Sequence, residues 1–304
     1  MGVSPAAGNG DGRAVSTVLD VAVCLLFVTA AVGVLATADR PAPDDSNSAD
    51  RAASLLGTTT ATVHYATAGG GGTAPERATV ACRPATGETR PDGCRTAHGT
   101  VADLLARAAV ADVADNESTG PSRFEQGVRN ATRQRLAGIQ ASWQVVVTWR
   151  GYPDAPLGGR VAVGGGPPPG IDVHTATLRV PVADGPARAG TDGDAMTVDA
   201  VGRRAASATV TRLFPPEPTR LALVAGSPAD RRTAGRYRRT AATLGVGLDG
   251  ALADGSVRRA NDILVGALAA RYARDLDART GTASDAAALV SVETATVTVR
   301  TWSA

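Results

Sequence analysis

The chain has 304 residues and a formal net charge of +2, with 31 basic and 29 acidic side chains. That length carries one large domain or two small ones with a core of their own. The near-balanced charge points away from a nucleic-acid footprint and from an acidic tail. Aromatic residues make up only 3% of the chain, so a core of small aliphatics, burying little area per residue, is expected. Every basic residue is Arg, and the pairs Arg203-Arg204, Arg231-Arg232, Arg238-Arg239 and Arg258-Arg259 are scattered. Solvated helix faces account for such a pattern better than phosphate binding does.

In chain order, the first signal is an uncharged run, Val21–Ala38, that Val15–Leu19 extends past Asp20. Roughly 20 apolar residues rising 1.5 Å each cross a bilayer core, so length permits a membrane span. One reading is a secretory signal, with Arg13 as a weak basic start, Val21–Leu35 as the apolar region and Ala36-Thr37-Ala38 as the cleavage site. A second is an uncleaved anchor, with Arg13 inside and Asp39, Asp44 and Asp45 following outside.

A third rests on Arg13-Ala14-Val15-Ser16 followed by Thr17-Val18-Leu19-Asp20-Val21. This stretch resembles the start of haloarchaeal type IV pilins. The resemblance covers only Arg13–Ala38, and Thr17 and Asp20 stand where that family has Pro and Gly. It implies a leader cut between Ala14 and Val15, after which the apolar helix waits in the membrane and then packs against other such helices. By the same resemblance Asp20 is a helix-packing or interface acid; read physically, an Asp at the cytoplasmic edge of a membrane costs little.

Two features place the remainder outside the cell. Asn116-Glu117-Ser118 and Asn130-Ala131-Thr132 are glycosylation acceptor triplets. Cys24 lies in the apolar run, which leaves Cys82 and Cys94 as a pair expected to close a small disulfide loop. The alternative is a zinc site adding His98 and His64 to the two cysteines.

After the polar stretch Pro41–Asp50, Thr58–Thr67 favours a strand and Gly69–Gly72 a flexible turn without the Gly-Lys-[ST] of a P-loop. Thr100–Ala114 predicts a helix, and Ser122 with Glu125 forms a capping box opening another that runs to about Gln140. Trp143–Trp149 and Asp172–Val182 alternate as strands, and the Gly/Pro loop Gly164–Gly170 suggests that they form one hairpin. Thr197–Phe214 is ambiguous, Leu221–Ala225 reads as a short strand and Ala229–Leu244 as an Arg-rich helix. Val257–Arg279 presents the stripe Ala260, Ile263, Leu264, Ala267, Leu268 and Leu276 of an amphipathic helix, and Val290–Trp302 closes the chain as a strand.

Catalytic patterns are sparse. The three histidines, His64, His98 and His174, form no H-E-x-x-H, and Gly226-Ser227-Pro228 is no nucleophile elbow. The expected fold is α+β: a leader 1–14, a single N-terminal transmembrane helix 15–38, a linker 39–50 and a mixed helix and antiparallel-sheet exterior domain 51–304, with a candidate sub-boundary at 215–218. The expected function is a non-catalytic, single-pass surface protein of the cell membrane without cofactor or metal, by the N-terminal resemblance a minor pilin-like or pseudopilin-like component of an archaeal type IV pilus or related secretion apparatus. Its partners are the membrane, other pilin-like subunits and an assembly platform, with no nucleic acid. The alternatives are a surface binding protein unrelated to pili, or an exported hydrolase.

Overall fold

The β-branched stretches near residues 145 and 297 pair with each other, and the rest of the sheet grows outward from that pair. A computed structural model describes residues 45–66, 82, 94–113, 121–182, 197–223 and 228–303. In chain order the elements are α1 (Asp45–Thr58), β1 (Thr60–Ala66), β2 (Cys94–Thr100), α2 (Val101–Asp112), α3 (Arg123–Leu136), β3 (Ser142–Arg150), β4 (Gly158–Gly164) and β5 (His174–Pro181). Then follow α4 (Val198–Leu213), α5 (Pro216–Ala222), α6 (Pro228–Leu244), α7 (Asp249–Ala253), α8 (Val257–Asp277), α9 (Ala283–Leu289) and β6 (Thr294–Trp302).

Strands β3 to β6 form one antiparallel sheet in the order β4-β3-β6-β5, and β1 and β2 form a separate antiparallel ribbon. The α+β expectation therefore holds, with one correction. No helix among the described residues is long and apolar enough to cross a membrane, and residues 15–38, where a transmembrane helix was expected, lie outside the described ones. The physical reason is visible in the longest of them: α8 has 21 residues but carries Arg258, Arg259, Asp262, Arg271, Arg274, Asp275 and Asp277, each costly in hydrocarbon.

The chain also departs from three local expectations. Trp143–Trp149 and the 172–182 strand do not pair with each other: β4 intervenes in sequence and β6 lies between them in the sheet. The segment around Leu221 is helical, because Pro216 opens α5 at a position where its missing N–H costs nothing. Helix α1 begins at Asp45, inside the stretch read as linker, since Ala49, Ala52, Ala53 and Leu56 bury one side of it.

Alternation divides the sheet into two unlike faces. Val145, Val147 and Trp149 of β3 lie beside Val161 and Val163 of β4, Val297 and Val299 of β6, and Ala176 and Val180 of β5, all buried. Helices α1 and α2 cover this face, and each buried aliphatic contributes about 1.5–3 kcal/mol. Gly159 permits the closest approach: a Cβ there would collide with the Ala109 carbonyl of α2. The Trp149 indole donates to the Val292 carbonyl at 2.8 Å.

The helices after β5 centre on the α4–α8 pair, which meet where a Cβ on Gly202 would stand 2.8 Å from the Ala273 nitrogen. Pro215 and Pro216 lie inside the unit formed by residues 45–304 rather than between two units. The ribbon packs its Ala61, Val63 and Tyr65 side on α3, with the Tyr65 and Phe124 rings 5.1 Å apart.

Candidate functional site

The second face of the sheet is the surface with the clearest chemical character. It carries Gln144, Val146, Thr148 and Arg150 of β3, Arg160 and Ala162 of β4, Thr175, Thr177 and Arg179 of β5, and Thr294, Thr296, Thr298 and Arg300 of β6. Register sets the pattern in rows. Arg179 lies opposite Thr296, Thr296 opposite Thr148 and Thr148 opposite Arg160, so two threonines separate two arginines on opposite edges. Three strand spacings put those edge backbones about 14 Å apart.

Arg150, Arg160, Thr175, Thr177 and Arg179 are exposed, and the central threonines are half-buried by their neighbours. None of the four strands contains an acidic residue. Arg160 and Arg179 form no ion pair among the described residues, Arg300 reaches only the Gln144 amide at 3.5 Å, and Arg150 lies 3.9 Å from Asp154. The arrangement is thus a hydroxyl-rich surface whose strands carry arginines and no carboxylate, with Asp154 beside Arg150 and the Asp112 carboxylate accepting from the Arg160 backbone N–H at 2.9 Å. Among the described residues no aromatic ring is exposed on it, since Trp302 is 5% exposed.

A cluster of titratable groups in the interior has a different character. Tyr152 donates to the Asp275 carboxylate at 2.8 Å, and its ring meets Tyr272 edge-on at 4.8 Å. The Tyr272 hydroxyl lies 3.3 Å from Thr209. Burial, the Asp275 hydrogen bond and the Asp275 charge drive the Tyr152 phenol well above its ordinary value. Burial likewise pushes Tyr272 up to about 12. Burial raises the Asp275 carboxyl too, but hydrogen bonds from Tyr152 and Arg271 and the charges of Arg271 and Arg279 outweigh it, leaving the group below its usual range. Phenols held protonated beside a carboxylate held ionised form a fixed hydrogen bond rather than an acid–base pair poised near neutrality.

Of the residues singled out from sequence, Cys82 and Cys94 are joined in a disulfide, with Cα atoms 5.5 Å apart. That bond removes both thiolates from the zinc alternative. Asn130 is exposed on α3, where its side-chain oxygen accepts from Arg133 at 2.9 Å. Ala14, Val15, Asp20 and Asn116 lie outside the described residues. His174 sits half-buried on β5 opposite Thr301, as a sheet residue. Among the described residues no three His, Cys, Asp or Glu side chains are grouped to hold a metal. Arg160 was missed because β4, GGRVAVG, is glycine-flanked and short. Its only signal was the alternation of Arg160 and Ala162 with Val161 and Val163.

The model of the Family of unknown function (DUF7284) matches residues 19–302. The chain belongs to that family. No curated protein and no solved structure gives a significant match.

Proposed function

We propose that the chain is a non-catalytic, exterior-facing protein of the cell surface that binds an acidic protein partner through the open face of its sheet. The observation that carries this reading is the row Arg179–Thr296–Thr148–Arg160 on strands that hold no carboxylate. Exposed guanidinium groups on both edges of this face match a folded partner that presents carboxylates, and Arg binds them in bidentate fashion. The Cys82–Cys94 disulfide supports an exterior compartment, because such bonds persist where the medium is oxidising.

The resemblance of Arg13–Ala38 to pilin starts supports a narrower form of the reading: a minor pilin-like or pseudopilin-like subunit whose acidic partner is a neighbouring subunit of an assembly. Thr177→Cys on intact cells tests location, with labelling by a membrane-impermeant maleimide as the expected result. Labelling only after lysis rejects an exterior site. A photo-crosslinker at Thr177 is expected to give one discrete adduct that Arg160→Glu with Arg179→Glu abolishes. An adduct indifferent to that double reversal rejects the charged face. The mature N-terminus then separates the forms, since a start at Val15 supports a pilin-like subunit and a start elsewhere leaves a surface binding protein.

A further inference from the structure

The β1–β2 ribbon has a second face, turned away from α3. Its register pairs Thr62 with His98 and His64 with Thr96. The two histidines are therefore diagonal neighbours on adjacent strands and share one face of the ribbon. Packing decides which face that is. Ala61, Val63 and Tyr65 turn toward α3, where Val63 lies so close to Gly127 that a Cβ there would collide with it. The alternate residues Thr62, His64, Thr96 and His98 face the other way, with Thr62 and His98 exposed and His64 half-buried.

The two imidazoles are held in the same manner. The His98 Nδ1 lies 3.0 Å from the Thr62 hydroxyl, and the His64 Nδ1 lies 3.0 Å from the Thr96 hydroxyl. Each ring thus spends its Nδ1 on a threonine of the opposite strand. When Nδ1–H donates to that hydroxyl, Nε2 keeps its lone pair, and this is the tautomer in which metal-bound histidines are usually fixed by an outer partner. Diagonal positions on paired strands lie about 7–8 Å apart at the backbone, within the span of two imidazoles that meet at one ion through bonds of about 2.0–2.1 Å. The ribbon end beside them is also tied, because Cys94, which pairs with Ala66, is locked to Cys82.

We infer that His64 and His98 form a two-imidazole site for a late first-row divalent metal such as nickel, copper or zinc, oriented by Thr96 and Thr62. Imidazole donors without carboxylates select this class over calcium or magnesium. The site differs from the four-ligand zinc set that sequence spacing suggests, since the disulfide withdraws Cys82 and Cys94 and leaves the two histidines with solvent to complete the coordination shell.

The test is calorimetric titration of nickel sulfate into the purified full-length chain under non-reducing conditions. One ion per chain is expected. His64→Ala and His98→Ala should each weaken binding more than tenfold. Thr62→Val and Thr96→Val should weaken it about tenfold by freeing the rings, as loss of an outer partner does. His174→Ala should leave binding unchanged and so shows that the effect belongs to the ribbon. Circular dichroism on each variant without metal confirms folding, and His64→Gln with His98→Gln serves if an alanine variant unfolds. No binding by the wild-type chain, or binding that survives loss of both His64 and His98, overturns the inference.

Discussion

The two faces of the four-stranded sheet are made by the same strands in the same register, yet one is Val, Ala and Trp under two helices and the other mostly Thr and Arg, exposed at its edges, with Val146 and Trp302 buried among them. Covered positions are constrained by packing volume, where even a single methylene is felt. Open positions are constrained by what they present. The comparison teaches that in a sheet covered on one side, stability and recognition are carried by alternate residues and can be perturbed separately.

The largest expected effect breaks the covered face. Trp149→Ala removes a buried ring and its hydrogen bond to Val292, and should destabilise by about 3–5 kcal/mol in denaturant unfolding. Next is overpacking on that face. Gly159→Val meets the Ala109 carbonyl and should cost about 1–3 kcal/mol, whereas Gly165→Ala, with open space around it, should fall within about 0.5 kcal/mol.

A third, smaller effect reads the interior cluster at the end of the covered face. Tyr152→Phe should cost about 0.5–1.5 kcal/mol near neutral pH by removing the Asp275 bond. The Asp275 carboxyl is lowered in the folded state, so its contribution is present above the ordinary carboxylate value of 3.8 and is lost as pH falls through the folded value. The gap between wild type and Tyr152→Phe should therefore narrow on acidification below that value, which thermal melts across pH can follow. Tyr272 has the opposite sign: raised from 10.0 to about 12, it contributes below pH 10 and loses that contribution as pH rises toward 12.

The smallest effect on stability sharpens the comparison most. Arg160→Glu with Arg179→Glu should shift unfolding by no more than about 0.5 kcal/mol per site while abolishing partner contact. A large loss of stability from these two exposed arginines would show that the open face also carries structure.

Much of the local architecture could be read in the chain before it was folded. Ser122 caps α3 by accepting from the Glu125 amide at 3.1 Å, as the capping box requires. The reciprocal half is replaced, because the Glu125 carboxylate turns to Arg129 at 2.6 Å. Of the α8 stripe, Ala260, Leu264, Leu268 and Leu276 are buried as its period demands, Ile263 and Ala267 are half-buried at its margin, and Tyr272, which periodicity did not single out, is buried with it. The Thr197–Phe214 ambiguity resolves as α4 because Val201, Ala205, Val210 and Leu213 pack in the helical half and Thr197 caps its start. Local pattern could not choose between the two states there, since small and β-branched residues suit either.

Sequence by itself determined the strong strands and the amphipathic helices, and it favoured a Cys82–Cys94 disulfide over a zinc set, because these depend on periodicity and on which residues are left to bond. Tertiary structure alone decided that β6 separates β3 from β5, that glycine-rich β4 joins the edge, and that His64 and His98 share one outward face. Strand order and register are long-range pairings: alternation says which side chains share a face, but not which strand stands beside it.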